Sequence, residues 1–182
     1  GEQLGRHLAQ LGHRRVGCTA PHTDLARARL AGLSNVITRA GGEVPAAFTF
    51  LSEFITGGDL NEVGPIEKVL DAQHRAKPDE RVTAIMAYND LVAVHIVTLM
   101  GQRGLSVPDD LSVVGFDGAM PRAYQGPDIT SAAIPLEELG SEAARLLSWR
   151  IEHPHAPHRQ VVLPTELHVG RSTRAIAANF TT

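Results

Sequence analysis

Val82-Thr83-Ala84-Ile85-Met86-Ala87, followed at once by Tyr88-Asn89-Asp90, is the stretch that decides the fold. The first six residues are nearly all apolar, with none of the polar alternation of a half-solvated strand. That is the pattern of a strand buried on both faces of a parallel sheet. Asn89 and Asp90 offer a helix cap, and the chain that follows reads as a helix to about Gly101. Downstream, Leu111-Ser112-Val113-Val114-Gly115-Phe116 repeats the buried-strand pattern and ends at Asp117-Gly118.

Working back from Val82, the same rhythm holds. Leu4, Leu8 and Leu11 stand at helical spacing over residues 2–11, and Gly12 is a natural stop. Arg15-Val16-Gly17-Cys18-Thr19-Ala20 is a short strand closed by Pro21. Thr23 or Asp24 caps the next helix, striped by Ala26, Leu30, Leu33, Ile37 and Ala40 and ended by Gly41-Gly42. Val44 to Leu51 reads as a strand, the surroundings of Gly57-Gly58 as a loop, and Asn61 to Ala76 as a helix that stops before Pro78. Helix and strand alternate four times. Such alternation means parallel strands joined by right-handed crossovers, a doubly wound α/β fold.

After Gly118 the rhythm changes. Residues 119–128, with Pro121, Gly126 and Pro127, are loop-like. A strand is expected at 129–134 and a helix from Leu136 to Ile151 striped by Leu139, Leu146 and Leu147. The linker His153-Pro154-His155-Ala156-Pro157-His158 leads to a last strand at about 160–169.

Composition narrows the function classes. The chain has 182 residues, 43% of them apolar, and a net charge of −3, which argues against a polyanion-binding surface. Aromatics make up only 4%, so the core must come from Leu, Val, Ile and Ala. No apolar run is long enough to span a bilayer, and a single cysteine, Cys18, excludes an internal disulfide framework and fits a reducing compartment. The expected location is the cytoplasm.

In an open parallel sheet, ligands bind beyond the carboxyl ends of the strands, where loops converge and helix N-termini point at the opening. Three polar groups fall there: Thr23 to Arg29 after the first strand, Asn89-Asp90 after the third, and Asp117 after the fourth. A carboxylate, a carboxamide and a guanidinium together supply the acceptors and donors needed to read hydroxyl groups. Each has a plainer reading as well. Asn89 and Asp90 could cap a helix, the preferred reading for Asp90, while Arg29 could be solvated and Asp117 a turn former. Motifs for catalysis are missing: no G-x-S-x-G, no G-x-x-x-x-G-K-[ST], no H-E-x-x-H and no G-x-G-x-x-G occurs. Cys18 lies inside a strand, and His153, His155 and His158 read as solvated linker residues rather than metal ligands. His13, His74 and His95 read as boundary or surface residues. No cofactor and no metal are expected.

Laid out in this order, the motifs resemble the lactose-repressor/purine-repressor (LacI/GalR) family of bacterial transcription regulators over nearly the whole chain. The resemblance runs through Leu11-Gly12-His13-Arg14-Arg15-Val16, Arg27-Ala28-Arg29-Leu30-Ala31-Gly32 and Ala87-Tyr88-Asn89-Asp90-Leu91-Val92-Ala93. Its most specific part is Val107-Pro108-Asp109-Asp110-Leu111-Ser112-Val113-Val114-Gly115-Phe116-Asp117. It continues through Ile129-Thr130-Ser131, Leu139-Gly140 and Leu163-Pro164-Thr165-Glu166-Leu167. The resemblance implies a periplasmic-binding-protein-like fold of type I, seen here mainly as its C-terminal lobe. Residues 1–118 would form that lobe, 119–159 would cross into the N-terminal lobe, and 160–182 would return. It also implies that Arg29, Asn89 and Asp117 contact a small effector, a sugar or a nucleoside-like molecule. Thr23 is a weaker contact position, and Phe54 or Leu60 would supply an aromatic or apolar wall.

A homodimer is implied, with operator DNA bound only through a helix-turn-helix domain expected upstream of Gly1. Gly118 departs from the family pattern, which commonly has a second polar residue after the Asp. The rival readings are a periplasmic sugar-binding protein with the same crevice and a sugar- or nucleotide-processing enzyme. The enzyme reading lacks a convincing acid–base pair, since Asp117 and Asp90 are its only plausible members.

Overall fold

The computed structural model describes residues 1–52, 64–118 and 126–176. Within these described residues, five α-helices and six strands follow in the order α1 (Glu2–Gln10), β1 (Val16–Pro21), α2 (Asp24–Arg39), β2 (Thr49–Ser52), α3 (Gly64–Arg75), β3 (Ala84–Ala87), α4 (Asp90–Gln102), β4 (Ser112–Asp117), β5 (Thr130–Ala133), α5 (Leu136–Glu152) and β6 (Glu166–His168). The strands form one sheet in the order β2-β1-β3-β4-β5-β6. All neighbours are parallel except the last pair, in which β6 runs antiparallel to β5.

Period-two alternation sorts the strand residues onto two cores. In β3, Ala84 and Met86 join Leu4, Leu8, Leu33 and Ile37 beneath α1 and α2, while Ile85 and Ala87 join Val69, Leu70, Ile96 and Met100 beneath α3 and α4. Every residue of β3 is buried, so an unbroken apolar run is what a strand covered on both sides requires. β4 divides in the same way, Val114 and Phe116 toward α1 and α2 and Val113 toward α3 and α4.

Several expectations need correction. The strand expected over 44–51 begins only at Thr49, because Pro45 opens a 3-10 turn over Ala46–Phe48. The resemblance implies that the strand at 129–134 belongs to another lobe, yet β5 lies within this sheet, in register with β4 from Val114↔Thr130 to Asp117↔Ala133. Its flanking apolar residues account for this, since Ile129 enters the α3/α4 core and Ala132 the α1/α2 core. Ser172 fastens the same junction: its hydroxyl donates to the Val113 carbonyl at 2.6 Å and accepts the Thr130 N–H at 2.8 Å. The return strand is only three residues long.

His13 is not a surface residue. It is buried, with Nε2 3.1 Å from the Arg174 carbonyl and Nδ1 2.9 Å from the Thr83 hydroxyl. The carbonyl can only accept, so Nε2 carries a proton and donates to it. Desolvation lowers its pKa to about 4, in keeping with the neutral form.

Helix α5 differs from the other described helices, for it contains no buried residue. Leu136, Leu139, Leu147 and Ile151 are all exposed, and the expected stripe therefore does not enter this core.

Candidate functional site

At the carboxyl ends of β1, β3 and β4 the polar groups converge on Arg29. Thr23 caps α2 by accepting the Ala26 N–H, which starts the helix directly after β1 and sets Arg29 in its second turn. From there the side chain reaches across the strand ends. One terminal nitrogen donates to the Tyr88 carbonyl at 2.6 Å, and the other donates to Asp117 Oδ1 at 3.0 Å. Its guanidinium carbon lies 4.2 Å from the Phe116 ring centroid and 4.9 Å from that of Tyr88, so the fork is stacked as well as hydrogen-bonded. Arg29 and Asp117, expected to meet at one crevice, form an ion pair.

Exposure within this pair is unequal. The Arg29 side chain is 14% exposed and that of Asp117 31%, so the carboxylate is the end that meets solvent. Its Oδ2 has no hydrogen-bond partner among the described residues. Asp117 holds a left-handed backbone with φ of 93°, sparsely populated for a residue with a Cβ, and φ at Gly118 is 63°. A side chain at 118 would meet Ala133, whose Cβ would lie 2.5 Å from the added carbon. The glycine that departs from the family pattern therefore has a local steric cause.

Asn89 caps α4: its side-chain oxygen accepts the Val92 N–H at 2.9 Å. Its amide nitrogen has no partner among the described residues and remains a donor beside Tyr88. Capping and ligand reading are thus compatible in Asn89, one through oxygen and the other through nitrogen. Phe54 and Leu60 lie outside the described residues.

Asp90 corrects the sequence reading. It is not the cap but the first helical residue, and it is buried, 3% exposed, with Oδ1 accepting the Ser131 hydroxyl at 2.6 Å. Ser131 Oγ in turn accepts the Gly118 N–H at 3.2 Å. The sequence carries a signal of this contact: Gly115 interrupts the apolar run of β4, and a glycine there marks close approach by another group. That group is Asp90, whose Oδ1 would stand 2.3 Å from a Cβ at position 115.

Among the described residues the site holds acceptors, donors and aromatic faces, and the one cysteine lies in the core. Cys18 is fully buried in the α1/α2 core, and burial pushes its thiol pKa up to about 12. Among the described residues no three His, Cys, Asp or Glu side chains gather as metal ligands, and no helix is long and apolar enough to cross a membrane. His153, His155 and His158 are exposed. His153 stacks on Trp149 with ring centroids 5.2 Å apart, and His158 lies 3.2 Å from Arg150.

A mostly parallel sheet wound on both faces, with polar groups converging at its carboxyl edge, is the architecture of a periplasmic-binding-protein-like domain. Comparison with known proteins agrees. Residues 6–173 match the periplasmic binding protein-like domain. The arabinose metabolism transcriptional repressor of Geobacillus stearothermophilus is 34% identical over 175 residues, covering 95% of this chain and 47% of that protein. DegA, an HTH-type transcriptional regulator of Bacillus subtilis, is 31% identical over 95% of this chain and 49% of its own length. Among solved structures, the CelR–cellobiose complex is 30% identical with a TM-score of 0.75, covering 92% of this chain and 49% of CelR. A LacI family regulator from Enterococcus faecium with bound ribose is 25% identical with a TM-score of 0.75, covering 96% of this chain and 62% of that one. The chain belongs to the periplasmic binding protein-like domain family, as an effector-binding domain of the LacI/GalR type. It spans about half the length of the curated relatives it matches.

Proposed function

We propose that this chain is the effector-sensing lobe of a LacI-type transcription regulator and takes a small polyhydroxylated ligand, a sugar or a nucleoside, against Arg29, Asn89 and Asp117. The observation that carries this reading is the Arg29–Asp117 pair at 3.0 Å, stacked on Phe116 and Tyr88 and opening to solvent on the carboxylate side. A free carboxylate oxygen accepts a ligand hydroxyl, the Asn89 amide and the remaining guanidinium N–H groups donate, and the aromatic rings flank the guanidinium. Thr23 has spent its oxygen as a helix cap but can still donate its hydroxyl hydrogen at the rim. Phe54 remains the proposed apolar wall.

In this reading the protein is a cytoplasmic homodimer that performs no chemistry, and ligand occupancy biases a second lobe between two arrangements. Operator DNA is contacted by a helix-turn-helix domain elsewhere in the protein. Helix α5 and its flanking loops serve the second lobe, whereas β5 stays with this one. The relatives' names, which are those of regulators, support this over an enzyme.

A thermal-shift panel of pentoses, hexoses, disaccharides and nucleosides tests it. Ligand at about a hundred times its Kd stabilises by about 2.7 kcal/mol, which moves the midpoint by several degrees. At least one compound should do so, and Arg29→Ala should abolish the shift. A panel without any hit, or a hit indifferent to Arg29→Ala, would remove the reading. The 182-residue chain should also give no sequence-dependent gel shift with DNA, since its net charge is −3.

A further inference from the structure

Asp117 presents its carboxylate from a backbone conformation that a residue with a Cβ rarely adopts, so something must hold it there. Three contacts do so. Arg29 takes the carboxylate, the Ile134 N–H donates to the Asp117 carbonyl at 3.0 Å, and the Gly118 N–H donates to Ser131 Oγ at 3.2 Å. The third contact continues inward. The Ser131 hydroxyl spends its proton on Asp90 Oδ1 in a short bond of 2.6 Å. A buried carboxylate is costly to keep unless it is hydrogen-bonded, and this one also sits on the first turn of α4, where the helix dipole favours negative charge.

The orientation of Ser131 follows from this. A serine hydroxyl has one proton and several rotamers. With Asp90 as acceptor, the proton points at the carboxylate and the lone pairs are left facing Gly118. Packing enforces the geometry: Ser131 is 1% exposed, and Gly115 leaves room for Asp90 only because it lacks a Cβ.

From these contacts we infer that Asp90 and Ser131 are positioning residues for the effector crevice, acting through the Gly118 amide to fix the turn that aims the Asp117 carboxylate. The chain of bonds joins α4, the end of β4 and β5. Asn89 and Asp90 are adjacent, as are Asp117 and Gly118, so two of the three proposed ligand-reading residues are tied to one buried pair. β5 runs directly into Ile134, Pro135 and α5, which places this pair at the root of the exposed helix. The role as an effector device rests on the function proposed above, but the positioning itself can be tested without any ligand.

The test is a double-mutant cycle between Arg29→Ala and Asp117→Ala, with coupling read from urea denaturation in the unaltered chain and again in a Ser131→Ala background. A carboxylate that Ser131 aims should lose at least half of its coupling to Arg29 when the hydroxyl is removed. If Ser131 only packs, Ser131→Ala lowers overall stability while the coupling stays the same, and the inference is overturned. Should Ser131→Ala fail to fold, Asp90→Asn supplies the second background, since the near-isosteric amide weakens the charge-assisted bond without vacating space. Coupling unchanged there overturns the inference equally, and coupling reduced supports it. Failure of the thermal-shift panel would remove the effector reading and leave the cycle untouched, so the two claims fail separately.

Discussion

Helices α4 and α5 make an instructive pair. Each follows a strand of the same sheet and each is rich in aliphatic residues, yet α4 buries five residues and α5 none. In α4, Ala93, Ile96 and Met100 lie at helical spacing over the α3/α4 core. In α5, Leu136, Leu139 and Leu147 are 56%, 48% and 63% exposed. Apolar content thus marks a face that needs cover, while the connection to the sheet decides whether the sheet provides the cover. α4 returns along the sheet to β4, whereas α5 leads away through an exposed linker to a three-residue edge strand.

The largest effect should come from the packed helix. Ile96→Ala removes most of a fully buried side chain and should cost about 2–5 kcal/mol, read as a lower urea midpoint at unchanged slope. A cost below about 1 kcal/mol would show that α4 is no better covered than α5.

Next in size is a pH effect confined to the packed region. The His13 pKa is lowered from 6.5 to about 4, so the unfolded chain takes up a proton that the folded chain refuses. The stability tied to the neutral ring is complete above pH 6.5 and is lost progressively as pH falls toward 4, by about 3 kcal/mol at the limit. His13→Gln should flatten that part of the stability–pH curve. An equally steep curve in the variant would place the acid sensitivity elsewhere.

The smallest effect belongs to α5. Leu147→Ala in the 182-residue chain should change stability by less than about 0.5 kcal/mol, since the side chain is already in water. A loss near that of Ile96→Ala would mean that α5 is covered within this chain, and the contrast between the helices would collapse.

What could be read in the sequence follows the same division. β3 and β4 were legible because burial on both faces leaves an apolar run that needs no knowledge of partners. The meeting of Arg29 and Asp117 was legible because helix starts and strand ends fix which groups converge at the carboxyl edge of the sheet. Asp90 was not, since its partner Ser131 lies 41 residues away on a strand whose sheet the local pattern does not specify. Thr130 and Ser131 are polar yet buried, with the Thr130 N–H donating to Ser172 and the Ser131 hydroxyl to Asp90. His13 was missed for a like reason: Thr83 and Arg174 are 70 and 161 residues away.

The central claim is that the Asp117 carboxylate reads an effector hydroxyl. Calorimetric titration of the best hit from the sugar and nucleoside panel, against the unaltered chain and Asp117→Ala, tests it most directly. The account predicts affinity weaker by about 1.5–3 kcal/mol, more than tenfold, because a charge-assisted hydrogen bond is lost from a crevice whose fold survives. Equal affinity in the two proteins, with the variant folded, would contradict it.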